Sequence, residues 1–415
     1  MTAKPIHLDI DSAYEVLKPI VLKTPLQYHR KLSETFGAEI YIKREDLQVV
    51  RSYKIRGAYH LIRSLNQEER DAGVVCASAG NHAQGVAFSC KLLHINGVIY
   101  MPAITPKQKI NQVKMFGGEN IEIVLVGDTF DECQKFALEY AEAHKKVFIP
   151  PFDHIKVMEG QGTVAKEILE DMSGIDFVFV PVGGGGLCAG VGSYFKEHSP
   201  DTKIIGVEPL GAPSMKEALK AGKPVLLDSI QRFVDGASVK KVGELTFPIC
   251  KEILSDMLLV PEGKVSSTLL QLYNEDAIVA EPAGALSIAG LDQYADRIKG
   301  KKLVCILSGG NNDIDRMQEI KERSLLFEGL KHYFIVRFAQ RPGALKEFVN
   351  FILGPNDDIV RFEFIQKNNK ESGPALIGIE VKSNEDFKLL ILRMDEYKLN
   401  YTLVNQNENL FEYLI

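Results

Sequence analysis

Lysine is the side chain suited to condensing with a carbonyl group, and Lys54 sits in RSYKIRGAYH (51–60), just after the charged run KREDL (43–47), where a helix is expected to open. A lone lysine on an amphipathic helix is ordinarily a solvated charge. Its company changes that reading. Three turns rich in Gly, Ser and Asn each follow an apolar run: SAGNHAQG (78–85), GGGGL (183–187) and SGGNND (308–313). In GGGGL, successive glycines free backbone N–H groups to converge on an anion at a helix start. Gly183, Gly184, Gly185, Gly186 and Leu187 therefore read as a phosphate cradle. No Lys-Ser/Thr pair follows, so this is not a Walker loop. The same residues satisfy a loose G-x-G-x-x-A through Gly184, Gly186 and Ala189, with Glu208 about 20 residues on, which leaves a nicotinamide-dependent oxidoreductase as an alternative. In SAGNHAQG, Ser78 and Asn81 offer donors at a helix N-terminus, where a carboxylate would fit; Ser and Asn are equally ordinary N-caps, and His82 reads by itself as a hydrogen-bonded structural histidine.

The elements that must position these turns alternate regularly. Apolar runs EIYIK, GVVCAS, NGVIYMP, IEIVLVG, KVFIPP, DFVFVPV, KIIGVEP and KLVCILS are separated by amphipathic stretches such as 128–146, where Phe130, Cys133, Phe136, Ala137, Tyr140 and Ala141 recur at helical spacing. Such alternation implies an α/β fold with a mainly parallel sheet covered on both faces, and ligands bind beyond the carboxyl ends of its strands. After about residue 325 the order becomes strand, helix, strand, strand, helix, strand, the ferredoxin-like α+β arrangement. The expected division is a catalytic domain over 1–325, with a smaller subdomain at about 40–150, and a second domain over 326–415.

Composition excludes several classes. The 415 residues are 45% hydrophobic and 25% charged, with a net charge of −6. No basic excess is available to neutralise phosphates, so nucleic acid is not an expected partner. No apolar run approaches the roughly 20 residues that span a bilayer, and residues 1–30 lack a basic segment followed by an apolar core. A cytoplasmic protein without a membrane partner is expected. Cys76, Cys90, Cys133, Cys188, Cys250 and Cys305 form no C-x-x-C pair, so they read as buried thiols and no metal site is expected.

Taken as a set and in this order, SYKIRGA with Lys54, SAGNHAQG, GGGGL, EPAGA (281–285) and SGGN resemble the fold type II pyridoxal-phosphate enzymes, specifically the threonine dehydratases. The C-terminal FIVRFAQRPGALKEF is similar to the ACT-like regulatory domain of their biosynthetic members, so the resemblance covers essentially the whole chain. It implies a tryptophan synthase β-like catalytic fold with pyridoxal 5'-phosphate as cofactor. Lys54 would hold the cofactor as a Schiff base and act as the catalytic base. Gly183 to Leu187 would bind its phosphate, Asn81 its ring hydroxyl and Ser308 its pyridine nitrogen. Ser78, Ala79, Gly80, Asn81 and His82 would receive the substrate carboxylate.

A hydroxyl opposite the pyridine nitrogen leaves the ring neutral and a weaker electron sink, which favours loss of a β-leaving group over reprotonation. L-threonine would be dehydrated and deaminated to 2-oxobutanoate and ammonia. Serine racemases share most of these motifs, but there a divalent cation is held by the Glu of VEP and an acidic residue six positions on; this chain has Glu208 and then Ser214. Serine is a second candidate substrate, since it lacks only a methyl group. A non-catalytic amino-acid sensor leaves the lysine and the phosphate loop without a use. For residues 326–415 the resemblance implies isoleucine as allosteric inhibitor, with valine opposing it, and RPGAL (341–345) offers a helix start for the effector's carboxylate. A sheet with helices on one face must bury its other face or edge, so residues 326–415 are expected to pack on a partner subunit or on the catalytic domain, and a homo-oligomer, dimer or tetramer, is expected.

Overall fold

The alternating apolar runs of the first three quarters of the chain do pair side by side, but into two sheets. The computed structural model describes residues 6–364 and 371–406, and the chain divides into two compact units, Met1–Asp313 and Ile314–Ile415.

The first unit contains β1 (Leu26–Tyr28), β2 (Glu39–Arg44), β3 (Val74–Ala77), β4 (Gly97–Met101), β5 (Ile121–Leu125), β6 (Val147–Phe148), β7 (Phe177–Pro181), β8 (Lys203–Pro209), β9 (Leu254–Val260) and β10 (Lys302–Leu307). The larger sheet runs β1-β2-β10-β7-β8-β9 and the smaller β5-β4-β3-β6. Only the β1–β2 pair is antiparallel. Strands β3, β4 and β7 are buried at every position, as helices on both faces require.

Two features differ from the sequence pattern. Strand β9, LSDMLLV, was not among the expected runs, because Asp256 interrupts its apolar residues. Strand β2 joins the larger sheet, in register with β10 from Lys302↔Glu39 to Leu307↔Arg44. The smaller sheet therefore starts at Val74 rather than near residue 40. Pairing partners 260 residues apart leave no local periodicity to read.

The helix Lys54–Ser64 carries Lys54 at its first position and lies against the helix Ile155–Asp171. Glycine is required at this crossing: a Cβ on Gly160 would lie 2.7 Å from the Arg56 carbonyl oxygen, and one on Gly57 would lie 2.8 Å from that of Val157. The two backbones thus touch beneath the lysine.

Two residues beyond Lys54, Arg56 is wholly buried and bridges two carboxylates. Its Nε and Nη2 donate to Glu45 at 2.8 and 2.7 Å, while Nη1 and Nη2 donate to Glu167 at 2.6 and 2.9 Å. Lys43, also fully buried, donates to Glu167 at 2.6 Å and to the Thr24 carbonyl at 2.6 Å. Thr24 completes the ring by donating to Glu45 at 2.6 Å. Burial alone would raise the Glu45 carboxyl, but Arg56 outweighs it and holds that group below the usual range. Two cations and two anions balance with their hydrogen bonds filled, the condition under which buried charge is tolerated.

The second unit is an antiparallel sheet of β11 (Lys331–Ala339), β12 (Asp358–Phe364), β13 (Ser372–Glu380) and β14 (Tyr401–Leu403), ordered β12-β13-β11-β14. The helices Ala344–Phe351 and Asn384–Glu396 supply Phe348, Leu390 and Met394 to a core with Phe334 and Ile377. This is the expected ferredoxin-like order. The end of the run IVRFEFIQK, beyond Phe364, lies outside the described residues. The helix Met317–Phe327, where the sequence places a boundary near 325, belongs to this unit: Glu322 accepts from Tyr333 Oη and Lys331 Nζ, both at 2.6 Å.

Replacing Arg56 by Met strips the shared partner from two buried carboxylates and is expected to destabilise the first unit by about 3–5 kcal/mol. Urea denaturation followed by circular dichroism checks this; a change under about 1 kcal/mol would mean the network is dispensable.

Candidate active site

The carboxyl ends of the strands in the first unit open onto a cavity of about 750 Å³. It falls in the range that holds a cofactor with a small substrate. Lys54, the loop Ser78–His82, the loop Gly183–Leu187 and Ser308 all line it. The residues that the resemblance assigns to cofactor and substrate therefore line one cavity, while Ala189 and Glu208 do not.

The glycine loop leaves β7 and enters the helix Gly186–His198, with Gly185 at φ 93°, a left-handed conformation natural to glycine. A Cβ on Gly183 would stand 2.9 Å from the Ala237 carbonyl oxygen, and one on Gly184 would strike the ring of Phe152. The backbone is thus pressed into the wall on its inner side. Its carbonyls are tied down there: Thr246 Oγ1 and the Gly243 amide donate to the Gly184 oxygen at 2.6 and 3.2 Å. Asp153 fixes the segment that supplies Thr246, accepting from the amides of Glu244, Leu245 and Thr246. The first amides of a helix have no partner within it and need an external acceptor. A phosphate dianion on the cavity side would satisfy them and the helix dipole together.

Lys54 Nζ donates to the Pro151 carbonyl at 2.8 Å. Burial pushes its amine down to about 8, partly offset by the charge of Glu281. An appreciable free-base fraction near neutrality suits both carbonyl capture and proton abstraction. His82 donates Nε2–H to the Ile149 carbonyl at 2.8 Å, and burial, reinforced by Lys54, drives its ring down to about 3. Its ring is neutral and structural, so the loop's offer to an anion consists of backbone amides and Ser78, whose Oγ accepts from the Gly80 amide at 3.2 Å. Ser308 is buried, and its hydroxyl donates only a long 3.3 Å bond to the Ala283 carbonyl.

Two residues were missed although their motifs were quoted. Glu281 of EPAGA and Asn311 of SGGNND both line the cavity. Asn81 Nδ2 donates to Glu281 at 2.5 Å, and Asn311 Nδ2 donates to Asn81 Oδ1 at 2.6 Å. Their signal was a polar residue within each motif, Glu281 just before the helix Pro282–Ala289 and Asn311 in the turn after β10, but contacts across 200 residues are not visible in spacing. Glu208 has its carboxylate spent on the amides of Met215 and Lys216, at 2.6 and 3.0 Å. Burial pushes that carboxyl up to about 8. It caps a helix, and neither oxygen is left for the ribose that a dinucleotide site would present.

A phosphate cradle facing a desolvated lysine amine is what pyridoxal phosphate needs, and the fold and cavity define a pyridoxal-phosphate-dependent enzyme. The family model for pyridoxal-phosphate dependent enzymes matches residues 17–309, and that for the C-terminal regulatory domain of threonine dehydratase matches residues 322–414. Relatives named L-threonine dehydratase biosynthetic, from Halalkalibacterium halodurans and Bacillus subtilis, are each 59% identical. They cover 98% and 97% of this chain and 98% and 96% of their own. The structure of the processed form of threonine deaminase isoform 2 from Solanum lycopersicum superposes with a TM-score of 0.72 at 43% identity, over 77% of this chain and 96% of that one. The chain belongs to the biosynthetic threonine dehydratases.

Only the free amine can attack a carbonyl, so capture of pyridoxal phosphate by the apoprotein is expected to accelerate as pH rises through about 8 and then level off. Stopped-flow absorbance checks this; a rate flat from pH 6 to 9 would contradict a titrating Lys54. Gly184→Val is expected to weaken cofactor affinity on the order of 100-fold through loss of charge-assisted amide bonds. Titrating the apoprotein with the cofactor measures it.

Proposed function

We propose that the first unit converts L-threonine to 2-oxobutanoate and ammonia, with Lys54 as the catalytic base. The observation that carries the reading is the convergence of a lysine amine lowered to about 8 with the Gly183–Leu187 cradle in one cavity. Lys54 would hold pyridoxal 5'-phosphate covalently, Gly183–Leu187 its phosphate, Asn81 its ring oxygen and Ser308 its ring nitrogen. Bound there, the cofactor supplies a carbonyl for the substrate amine and an electron sink for the Cα–H bonding pair.

The remaining work falls to the chain. The amides opening the helix Asn81–Leu93, with Ser78, receive the substrate carboxylate at the positive end of the helix dipole. Lys54 Nζ lines the same cavity and would take the α-proton of a substrate so anchored. Ser308 would present a hydroxyl rather than a carboxylate to the cofactor's ring nitrogen, a partner that would leave the ring a weaker electron sink and favour loss of a β-leaving group over return of the proton. Water leaves in the elimination and water is consumed when the released enamine hydrolyses, so the products are 2-oxobutanoate and ammonia. Burial in the cavity wall lowers the proton affinity of Lys54.

The second unit is proposed to bind isoleucine, which would weaken threonine binding, with valine opposing it. Support comes from the helix start at Gly343, φ 90°, and from the match to a threonine dehydratase regulatory domain. The edge strand β12 exposes Val360, Phe362 and Phe364, an apolar edge of the kind that pairs with another chain, and a homo-oligomer, dimer or tetramer, accords with it. Among the described residues no helix is long and apolar enough to cross a membrane, which is compatible with a cytoplasmic enzyme.

Lys54→Ala is expected to lower 2-oxobutanoate formation from threonine by roughly 1,000-fold or more and to abolish the visible absorbance of the bound cofactor. Retained turnover would remove Lys54 from its role. Isoleucine is expected to raise the threonine concentration at half-saturation, and linkage requires threonine to weaken isoleucine binding by the same factor. Superimposable saturation curves with and without isoleucine would refute the effector assignment.

A further inference from the structure

Glu281 is a buried charge in the cavity to which the proposed reaction gives no task. It is 6% exposed and precedes the helix Pro282–Ala289, PAGALSIA, which carries no ionisable side chain. Its Oε1 accepts from Asn81 Nδ2 at 2.5 Å. The polarity of this contact is set at the far end of the chain of bonds. The Val50 carbonyl can only accept, so the Asn311 group 2.8 Å from it is the NH2. The same NH2 spends its second hydrogen on Asn81 Oδ1 at 2.6 Å. Asn81 therefore has its oxygen committed to Asn311 and one N–H committed to Glu281, and it keeps a single N–H to offer. On the other side Glu281 is walled in: its own amide donates to the Gly309 carbonyl at 3.1 Å, and a Cβ on Gly309 would collide with Oε1.

We propose that Glu281 is a positioning residue that locks the Asn81 amide in one orientation, so that its remaining N–H faces the cofactor's ring oxygen and sets the affinity of the site. The inference rests on the reading of Asn81 given above and adds the residue through which that reading works. An ionised carboxylate accepts more strongly than a neutral acceptor and polarises the Asn81 amide, which strengthens its second N–H as a donor.

The charge of Glu281 responds to several neighbours. Burial foremost, and then Asp235 from the 223–243 segment, push its carboxyl up to about 7, against the opposing bonds from Asn81 and the Asn311 amide and the charge of Lys109. Lys109 is itself paired with Asp235 at 2.7 Å. Lys54 and Tyr53 complete the groups that feel Glu281, which holds the Lys54 ammonium form up and the Tyr53 phenol up. As pH falls through about 7 the carboxylate takes a proton. The grip on Asn81 slackens and cofactor affinity drops.

A double-mutant cycle on the cofactor affinity of the apoprotein, read from the absorbance of titrated pyridoxal phosphate, tests this. Asn81→Ala and Glu281→Ala are each expected to weaken binding by about tenfold, the scale of one hydrogen bond to a charged group, and the double variant no more than either alone. Additive losses would overturn the proposal while leaving the Asn81 assignment intact. An Asn81→Ala protein that binds like the wild type would instead remove that assignment and the proposal with it. Glu281→Gln keeps an acceptor oxygen and guards against misfolding of the alanine variant. Its affinity above pH 8 is expected within about threefold of wild type, without the fall through neutrality that the wild type shows. Asp235→Asn is expected to move that fall to lower pH. The phosphate of the cofactor titrates alike in all variants, but loss of the Glu281 charge also lowers the Lys54 amine. The profile is therefore read in Asn81→Ala too, where Glu281 still titrates beside Lys54, and the fall is expected to vanish there. A fall that persists in Asn81→Ala, or a wild-type profile that Glu281→Gln reproduces, would refute the action of its charge through Asn81.

Discussion

The buried quartet of Arg56, Lys43, Glu45 and Glu167 is the constraint on which the site depends. Arg56 is two residues from Lys54 on the same helix, Lys43 belongs to β2 of the larger sheet, and Glu167 belongs to the long helix Ile155–Asp171. Charge-assisted bonds of 2.6 to 2.9 Å tie these elements together. Removing a buried charge from water costs several kcal/mol, recovered only if every partner is in place. The network therefore tolerates one arrangement, and that arrangement fixes where the helix carrying Lys54 begins. An apolar core of equal volume would stabilise as much but would let the helix slide or rotate more freely.

Lys54 is thereby presented at the rim of a cavity whose other wall is a glycine loop held from behind. The two devices work in opposite ways. The lysine is tuned by withdrawal of water, which favours its neutral amine. The loop acts through backbone amides that carry no net charge, need no proton and lose no side-chain entropy on binding an anion. A lysine or arginine in the loop's place would add a cation beside Lys54 and disturb the proton affinity on which the chemistry depends.

The sequence was informative where one residue type has one physical use. Consecutive glycines, apolar runs of strand length and an antiparallel module with the ferredoxin-like order are local signals, and each was found where expected. It was uninformative where function arises from contact. The sequence reads His82 as a hydrogen-bonded structural histidine but names no partner; the Ile149 carbonyl, 67 residues on, is supplied by contact. Glu208 could have been a ribose ligand from its spacing; the amides of Met215 and Lys216 occupy it.

What the sequence alone determined, then, is the set of parts: a lysine at a helix start, three donor-rich turns at strand ends, and two kinds of sheet. Their types follow from composition and period, which are properties of short segments. The tertiary structure decided which of those parts meet, and in what electrical surroundings. Glu281 and Asn81 stand 200 residues apart in the chain and 2.5 Å apart in space. Strand β2 keeps β1, its neighbour in sequence, on one edge and takes β10, some 260 residues on, at the other. Proton affinity, hydrogen-bond polarity and strand partnership depend on distance and burial, and both come into being only when the chain closes on itself.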